Sequence, residues 1–471
     1  MNRTLKLQLL IYLIVSAFSF TFFILPRRAG VSVLLFTAIQ LVFVYILLPK
    51  KRHAFVYIPV LILAANSFIS TNGMWHFTNF IISIGLMCVM ILLSVGDFPV
   101  FDTSLNFLRN IFICAFKPFK YIAEPFIWVF KADKKLFKKS LRAMTGLVIA
   151  IPFVLFLVVM LSSADQIFYQ NLIGITKWTF DFLSIIGYLK LLFGFIAGFY
   201  LFGLLYEAHQ PRERTVYDNK TITGDTVILS VLISVIVAVY TLFAAIQIRY
   251  LFAAASSLPY GLTYTEYARR GFFELLILTG FNILLIYITV HLTKNKTGTG
   301  AGLIKGLCCY LCLMTVMLLC SSFYRMLLYS ADNGLTRLRF MVFGFLMFEL
   351  LGLAVTFIYI IKPKFNIAAI YMGIGLVYYL LLNIVPMDAL IAKNQIDRYL
   401  NTGSGGIEYV LRLSPDAAPQ ISRLLSSDDE GIKRQVHEYF ERVSFNDYGW
   451  IQWNLSADEY RAQAQKAGIK K

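Results

Sequence analysis

Long apolar runs without a charge recur along the first 386 residues, and they constrain the fold more than any other feature of this chain. Leu7 to Pro26, Thr226 to Ile248 and Gly306 to Tyr324 are three of them. Each matches the roughly 20 residues that carry a helix across about 30 Å of hydrocarbon. Inside a bilayer the backbone polar groups have only each other as partners, so such runs are helices. The pattern predicts eleven spans, at about 5–25, 31–48, 55–70, 77–95, 144–161, 184–206, 226–250, 271–292, 303–327, 338–361 and 367–386. The first run lacks a small-residue cleavage site and is followed at once by another span, so it reads as a retained helix and not as a removed signal peptide.

Composition agrees with this class. Hydrophobic residues make up 58% of the chain and charged residues only 15%, against about a quarter charged in soluble domains. The formal net charge of +17 resides in the membrane part, because acids and bases nearly balance from residue 387 onward. Lys and Arg gather in alternate loops, which places the N-terminus in the cytoplasm and, with an odd number of spans, exports the tail. The positive charge is therefore a membrane-topology signal, and no nucleic-acid partner is implied. Six cysteines, Cys88, Cys114, Cys308, Cys309, Cys312 and Cys320, fall in apolar or membrane-surface segments, so no disulfide framework is expected.

The expected organisation is all-α: a polytopic helical membrane bundle of about eleven transmembrane helices with a small helical extracytoplasmic C-terminal tail. Residues 1–96 form an N-terminal four-helix membrane segment, and 97–143 a basic amphipathic cytoplasmic loop at the interface. A seven-helix membrane core occupies 144–386, and the polar tail 387–471. In the loop, Phe116-Lys117-Pro118-Phe119-Lys120 and Phe126-Ile127-Trp128-Val129-Phe130-Lys131 interleave aromatics with lysines, as an in-plane interfacial helix does. In the tail, Ser414-Pro415-Asp416 opens a helix to about Leu425, and Ser427-Asp428-Asp429-Glu430 opens another to about Val443. The string Gly298-Thr299-Gly300-Ala301-Gly302 lacks the ending of a phosphate loop and reads as a flexible turn.

Charged residues inside spans are the strongest functional clue, because each costs roughly 2.5–3.5 kcal/mol at a helix centre and persists only when paired or solvated. They are Lys190, Arg249, Glu274, Arg325 and Glu349, all expected in the outer half of the membrane. The loops 260–271 and 330–339 bring Glu266, Tyr267, Arg269, Arg270, Arg337 and Arg339 to the same side, and Asp165 ends an earlier span there. Together these residues describe an outward-facing, arginine-rich polar cavity. Arginine's planar fork suits carboxylate or phosphate, so an anionic small molecule or lipid head group is the expected guest. The competing reading is that the same charges only neutralise one another and lock helices together. Cys309-Tyr310-Leu311-Cys312 has metal-ligand spacing but no His or acid beside it, and the histidines are scattered. No metal, cofactor or catalytic set is implied.

The segments Tyr264-Thr-Glu-Tyr-Ala-Arg-Arg-Gly-Phe-Phe-Glu-Leu and Tyr329-Ser-Ala-Asp-Asn-Gly-Leu-Thr-Arg-Leu-Arg339 resemble a bacterial family of multi-pass membrane proteins. That family is designated domain of unknown function forty-one fifty-three or forty-one seventy-three. The tail segments Asn394-Gln-Ile-Asp-Arg-Tyr-Leu and Tyr409-Val-Leu-Arg-Leu-Ser-Pro-Asp-Ala-Ala-Pro419 are similar to its post-membrane region. The resemblance covers roughly residues 140–425, which leaves the first four spans resting on hydropathy alone. It implies a bacterial cell membrane and brings no activity or ligand.

Three functions follow as expectations. The first is binding or transport of an anionic or lipid-linked solute through the outer cavity. The second is a non-catalytic envelope sensor or accessory subunit, with a membrane or signalling protein as partner besides the surrounding lipids. The third is a membrane enzyme acting on a lipid-linked substrate, for which no catalytic residue stands out.

Overall fold

The computed structural model describes residues 2–25, 29–48, 54–95, 106–130, 157, 160–161, 182–210, 224–251, 272–363, 365–442 and 450–469. The described residues are helical, with no strand among them. Eight helices are long and apolar enough to cross a membrane: Arg3–Ile24, Gly73–Ser94, Leu189–Glu207, Thr226–Ile246, Phe273–Thr293, Thr299–Asn333, Arg337–Ile361 and Ile367–Ile384. Two further expected spans correspond to shorter apolar helices, Val31–Leu47 and Ala54–Ile69. The expected span at 144–161 lies almost wholly outside the described residues.

The chain divides into two compact units. The first contains the described helices up to Glu207 and the stretch 450–455. In it α1 (Arg3–Ser19) runs on as a π-helical turn, Phe20–Ile24, and is followed by α2 (Val31–Leu47), α3 (Tyr57–Ile69) and α4 (Gly73–Val95). Next come α5 (Asn106–Phe116), a 3-10 turn (Lys117–Tyr121), α6 (Glu124–Phe130) and α7 (Phe182–Glu207). Helices in a bilayer have little hydrophobic drive toward one another and associate where small residues let backbones approach. Gly194 and Gly198, one turn apart on α7, provide this. A β-carbon on Gly198 would stand 2.9 Å from that of Ala17, and one on Gly194 would fall 1.9 Å from the Thr21 hydroxyl.

The region expected to lie in the membrane plane is helical in part, and it is packed. Lys117 Nζ donates to Glu207 Oε1 at 2.7 Å and Tyr121 Oη to Glu207 Oε2 at 2.7 Å. The backbone of Pro118 fills the space a side chain on Gly203 would need, and the Trp128 ring stacks edge-on against Phe202 and Tyr206. Residues 97–105 and 131–143 of that region lie outside the described residues.

The second unit holds the described residues 224–442 and 456–469. Its membrane helices are α8 (Thr226–Leu251), α9 (Phe272–Thr293), α10 (Thr299–Asn333), α11 (Arg337–Ile361) and α12 (Ile367–Ile384). Asp225 caps α8 by accepting from Val227 N at 2.7 Å and Ile228 N at 3.3 Å, and Asn366 caps α12 by accepting from Ala369 N. Ile286, Val290, Cys308, Leu311, Cys312, Leu346, Leu353 and Tyr359 form one buried apolar cluster. Ile286 and Val290 are four residues apart, Cys308 and Leu311 three, and Leu346 and Leu353 seven, spacings that put each pair on one face of its helix.

Two sequence expectations change here. Thr299 already begins α10, so of the glycine-rich string only Gly298, with φ 103°, is a turn residue. The polar segment 330–339 is not a loop through its length. Ser330, Ala331, Asp332 and Asn333 belong to the 35-residue α10, and only Gly334, Leu335 and Thr336 separate it from α11.

The tail of this unit contains α13 (Met387–Thr402) and α14 (Ile407–Val410). A helical run follows, from Pro415–Ala417 through α15 (Ala418–Ile421) to Ser422–Ser426; α16 (Glu430–Arg442) and α17 (Leu455–Lys466) complete it. Gly403, left-handed at φ 71°, ends α13. On α16, Ile432, Val436, Tyr439 and Phe440 are buried. They form an amphipathic stripe worth about 1.5–3 kcal/mol for each side chain fully withdrawn from water. Tyr460 of α17 closes over it, its hydroxyl donating to Tyr439 O at 2.7 Å.

Candidate functional site: a polar seam in the membrane helices of the second unit

A row of polar residues lies among the apolar side chains that α9, α10 and α11 turn toward each other. Thr279, Asn282, Thr289 and Thr293 recur along α9, and all are buried. Thr315, Ser322 and Arg325 do the same along α10, and Glu349 and Thr356 along α11. Their spacings of three, four and seven residues keep them on the inward face of each helix.

Glu349 is the acid of this seam and is 4% exposed. Thr279 Oγ1 donates to its Oε2 at 2.7 Å, while Oε1 lies 3.8 Å from where a side chain on Gly280 would begin. Among the described residues, Thr279 is its one hydrogen-bond partner. A turn further along α9, Asn282 accepts from Tyr240 Oη at 2.9 Å and donates to Thr315 Oγ1 at 3.1 Å. Thr315 passes its own proton to Leu311 O. Below Glu349 on α11, Thr356 and Tyr371 hydroxyls meet at 2.7 Å, and Tyr371 also donates to Gly352 O. Arg325, 7% exposed, lies on the inward face of α10 beyond Ser321 and Ser322.

The other expected site residues are placed differently. Arg337 forms a two-pronged ion pair with Asp388 of α13, Nε to Oδ1 at 2.7 Å and Nη2 to Oδ2. Its backbone N–H donates to Tyr409 Oη at 2.8 Å. Arg339 donates to Gly334 O and lies over the Tyr329 ring, 4.1 Å from its centroid. Glu274 is exposed in the first turn of α9. Lys190 is on α7, in the first unit, and half-buried. Arg249 is on α8, with its side chain outside the described residues, as are Glu266, Tyr267, Arg269, Arg270 and Asp165 entirely. The three cysteines with metal-ligand spacing lie along α10. Cys308 and Cys312 are buried and Cys309 partly so, all as free thiols, and Cys312 Sγ faces Leu353 O at 3.8 Å. Among the described residues no group of three or more His, Cys, Asp or Glu is placed to hold a metal.

The partners of Arg337 belong to a clamp that sequence reasoning missed. Tail helix α13 grips the turn between α10 and α11. Asn394 Oδ1 accepts from Leu335 N at 2.9 Å, Gln395 Nε2 donates to Leu335 O at 2.8 Å, and Arg398 donates to Ala331 O and Asp332 O at 2.6 Å each. These bonds satisfy carbonyls that the end of α10 leaves without intrahelical partners, and a cation there also suits the helix dipole. Gly334 makes the grip possible. Its φ is 70°, and a β-carbon would fall 2.5 Å from the Gln395 amide.

Asp388 is the anchor of the clamp. Ser414 donates to its Oδ2 from N at 3.1 Å and from Oγ at 2.5 Å, beside Arg337. Burial alone would raise this carboxyl; the hydrogen bonds from Arg337 and Ser414 together with the Arg337 charge outweigh it and hold the group below the ordinary value of 3.8. Both halves of the pair are in the sequence, at Arg337 and at the start of the tail, 51 positions apart.

No curated protein and no solved structure matches the chain. A family model does match, over residues 57–424, and it begins well before the 140 expected from the sequence, so that α3 and α4 fall within it. With most of its length matched, the chain belongs to the family of the domain of unknown function DUF4153, and its helices are suited to crossing a membrane.

Proposed function

We propose that this protein binds an anionic solute within the helices of its second unit and carries it across a bacterial cell membrane together with a proton held on Glu349. The observation that carries this reading is the state of Glu349, a carboxyl buried among membrane-crossing helices and held by one hydroxyl. An ionisable group at that depth that is not locked into an ion pair is a functional site by default. Glu349 takes up a proton when the site is dry and gives it up when water or a cation reaches Oε1. Arg325 supplies the positive charge that an anion requires, and the hydroxyls of Thr279, Thr315 and Tyr371 add neutral donors and acceptors to the seam.

The test is solute-driven proton movement in proteoliposomes, read by a pH-sensitive dye inside the vesicles, with a panel of small carboxylates and inorganic phosphate at several pH values. Proton uptake driven by at least one of them, abolished by Glu349→Gln in protein that remains folded, supports the reading. Proton uptake absent throughout the panel, or unchanged in the variant, overturns it.

A second reading has its own support. The clamp ties the tail to the turn between the two helices that carry Arg325 and Glu349, so a partner that displaced α13 would move both. This favours an envelope sensor or accessory subunit. It predicts that Asp388→Ala alters the accessibility of cysteines introduced along α10, measured by thiol labelling, whether or not any solute is moved.

A further inference from the structure

The first unit holds a partly open cavity of about 380 Å³ between the π-helical end of α1 and helices α2, α3, α4 and α7. That volume falls within the about 300–1,000 Å³ of small-molecule sites. No acid, lysine or arginine lines it, and Phe20, Phe36, Phe77 and Phe80 bring four aromatic rings to its wall. Several of its polar liners are already engaged within the protein. Asn79 donates to Leu63 O, His76 Nε2 meets Ser70 O, and Tyr200 donates to Ala115 O.

Gln40 is different. It lines the cavity and is 6% exposed. Its Oε1 is turned to α1, where Tyr12 donates at 2.7 Å and Ser16 at 3.2 Å. The amide nitrogen at the other end is buried without a hydrogen-bond partner. A buried donor left unpaired costs about 1–3 kcal/mol, and a guest with an acceptor at that point recovers it.

We infer that this cavity is a binding site for a neutral lipid that presents a carbonyl inside the hydrocarbon, of the isoprenoid quinone class, with the carbonyl accepting from Gln40 Nε2. The uncharged wall excludes a buried phosphate or carboxylate head group. Depth then separates the neutral candidates. Gln40 lies seven residues from Leu47 and nine from Val31 on α2, so at 1.5 Å per residue the donor is about 10 Å or more from either helix end. The ester carbonyls of an acylglycerol sit at the edge of the hydrocarbon, whereas a ring carbonyl on an isoprenoid tail reaches this depth. The phenylalanine rings offer a flat ring stacking surfaces.

The experiment is native mass spectrometry of the detergent-purified full chain, titrated separately with decyl-benzoquinone and with dioleoylglycerol. The expected result is a saturable quinone adduct that Gln40→Leu weakens at least tenfold and Ala64→Phe, which fills the cavity, abolishes. Thermal unfolding of Gln40→Leu at the wild-type temperature tells lost binding from lost packing. Absence of a saturable quinone adduct in the wild-type protein overturns the proposal. So does wild-type binding by Gln40→Leu, or a preference for dioleoylglycerol.

Discussion

Asp388 and Glu349 are both almost inaccessible carboxyls of the second unit, and they are satisfied in opposite ways. Asp388 receives two prongs of Arg337 and two donors of Ser414. Glu349 receives one hydroxyl. A saturated buried charge rigidifies the contact that holds it, whereas one left short of partners keeps a protonation state or a coordination position open to change. The pair therefore separates a structural carboxyl from one available for work.

The strongest way to break this contrast is to strand Asp388. Arg337→Ala leaves a buried carboxylate without its cation and should destabilise the folded protein by about 3 kcal/mol, toward the low end for such a loss because water reaches the half-exposed arginine. Thermal unfolding in detergent measures it. The double variant with Asp388→Asn should recover most of the loss, and failure to do so would mean that Arg337 acts through something other than the pair.

Acid should weaken the same contact more gradually. Because the folded Asp388 carboxyl is held below its ordinary value, its stabilisation is complete above about pH 4, near the ordinary value of 3.8, and disappears as pH falls through the lower folded value. Limited proteolysis of the tail across pH 6 to 2 should show protection lost only at the acid end. The Asp388→Asn variant should lack that step. A transition centred near neutral pH would contradict the assignment.

What could be read from the sequence follows from the range of the forces involved. Hydropathy is local, so the membrane-crossing helices were legible, and so were the tail helices at Pro415 and Glu430, whose signals lie within one turn. The end of α10 was not. Ser330-Ala331-Asp332-Asn333 looks like a loop because its residues are polar, yet it stays helical because Arg398, 66 to 68 residues later, takes its carbonyls. Arg337 and Arg339 looked like free forks for the same reason, since Asp388 and the Tyr329 ring meet them only in the folded chain. Glu207 drew no notice at the edge of a span, and its partners Lys117 and Tyr121 come 90 and 86 residues earlier. Gln40 drew none either, because one amide in an apolar run has no local signal. Glu349 did, since a charge in a span is costly wherever its partner lies.

Thr279→Val tests how completely Glu349 depends on its one bond. Removing the hydroxyl should cost about 1 kcal/mol of stability, about a third of the Arg337→Ala effect. Equal costs at the two carboxyls would erase the distinction between them.

Glu349→Gln should have the smallest effect on stability, within about 0.5 kcal/mol of wild type, because a neutral amide of the same shape still accepts from Thr279 and needs no counter-charge inside the bilayer. A slight gain is equally consistent, since burying an amide is less costly than burying a carboxylate. This is the reverse of what a structural carboxyl does when its charge is removed, and it makes the substitution decisive. Helix packing that relied on the Glu349 charge would lose several kcal/mol, as Asp388 is expected to do when Arg337 is taken away. A Glu349→Gln protein that unfolds as late as wild type but takes up no protons with the solute locates the work of the second unit at this carboxyl. One that unfolds early returns Glu349 to the same structural class as Asp388.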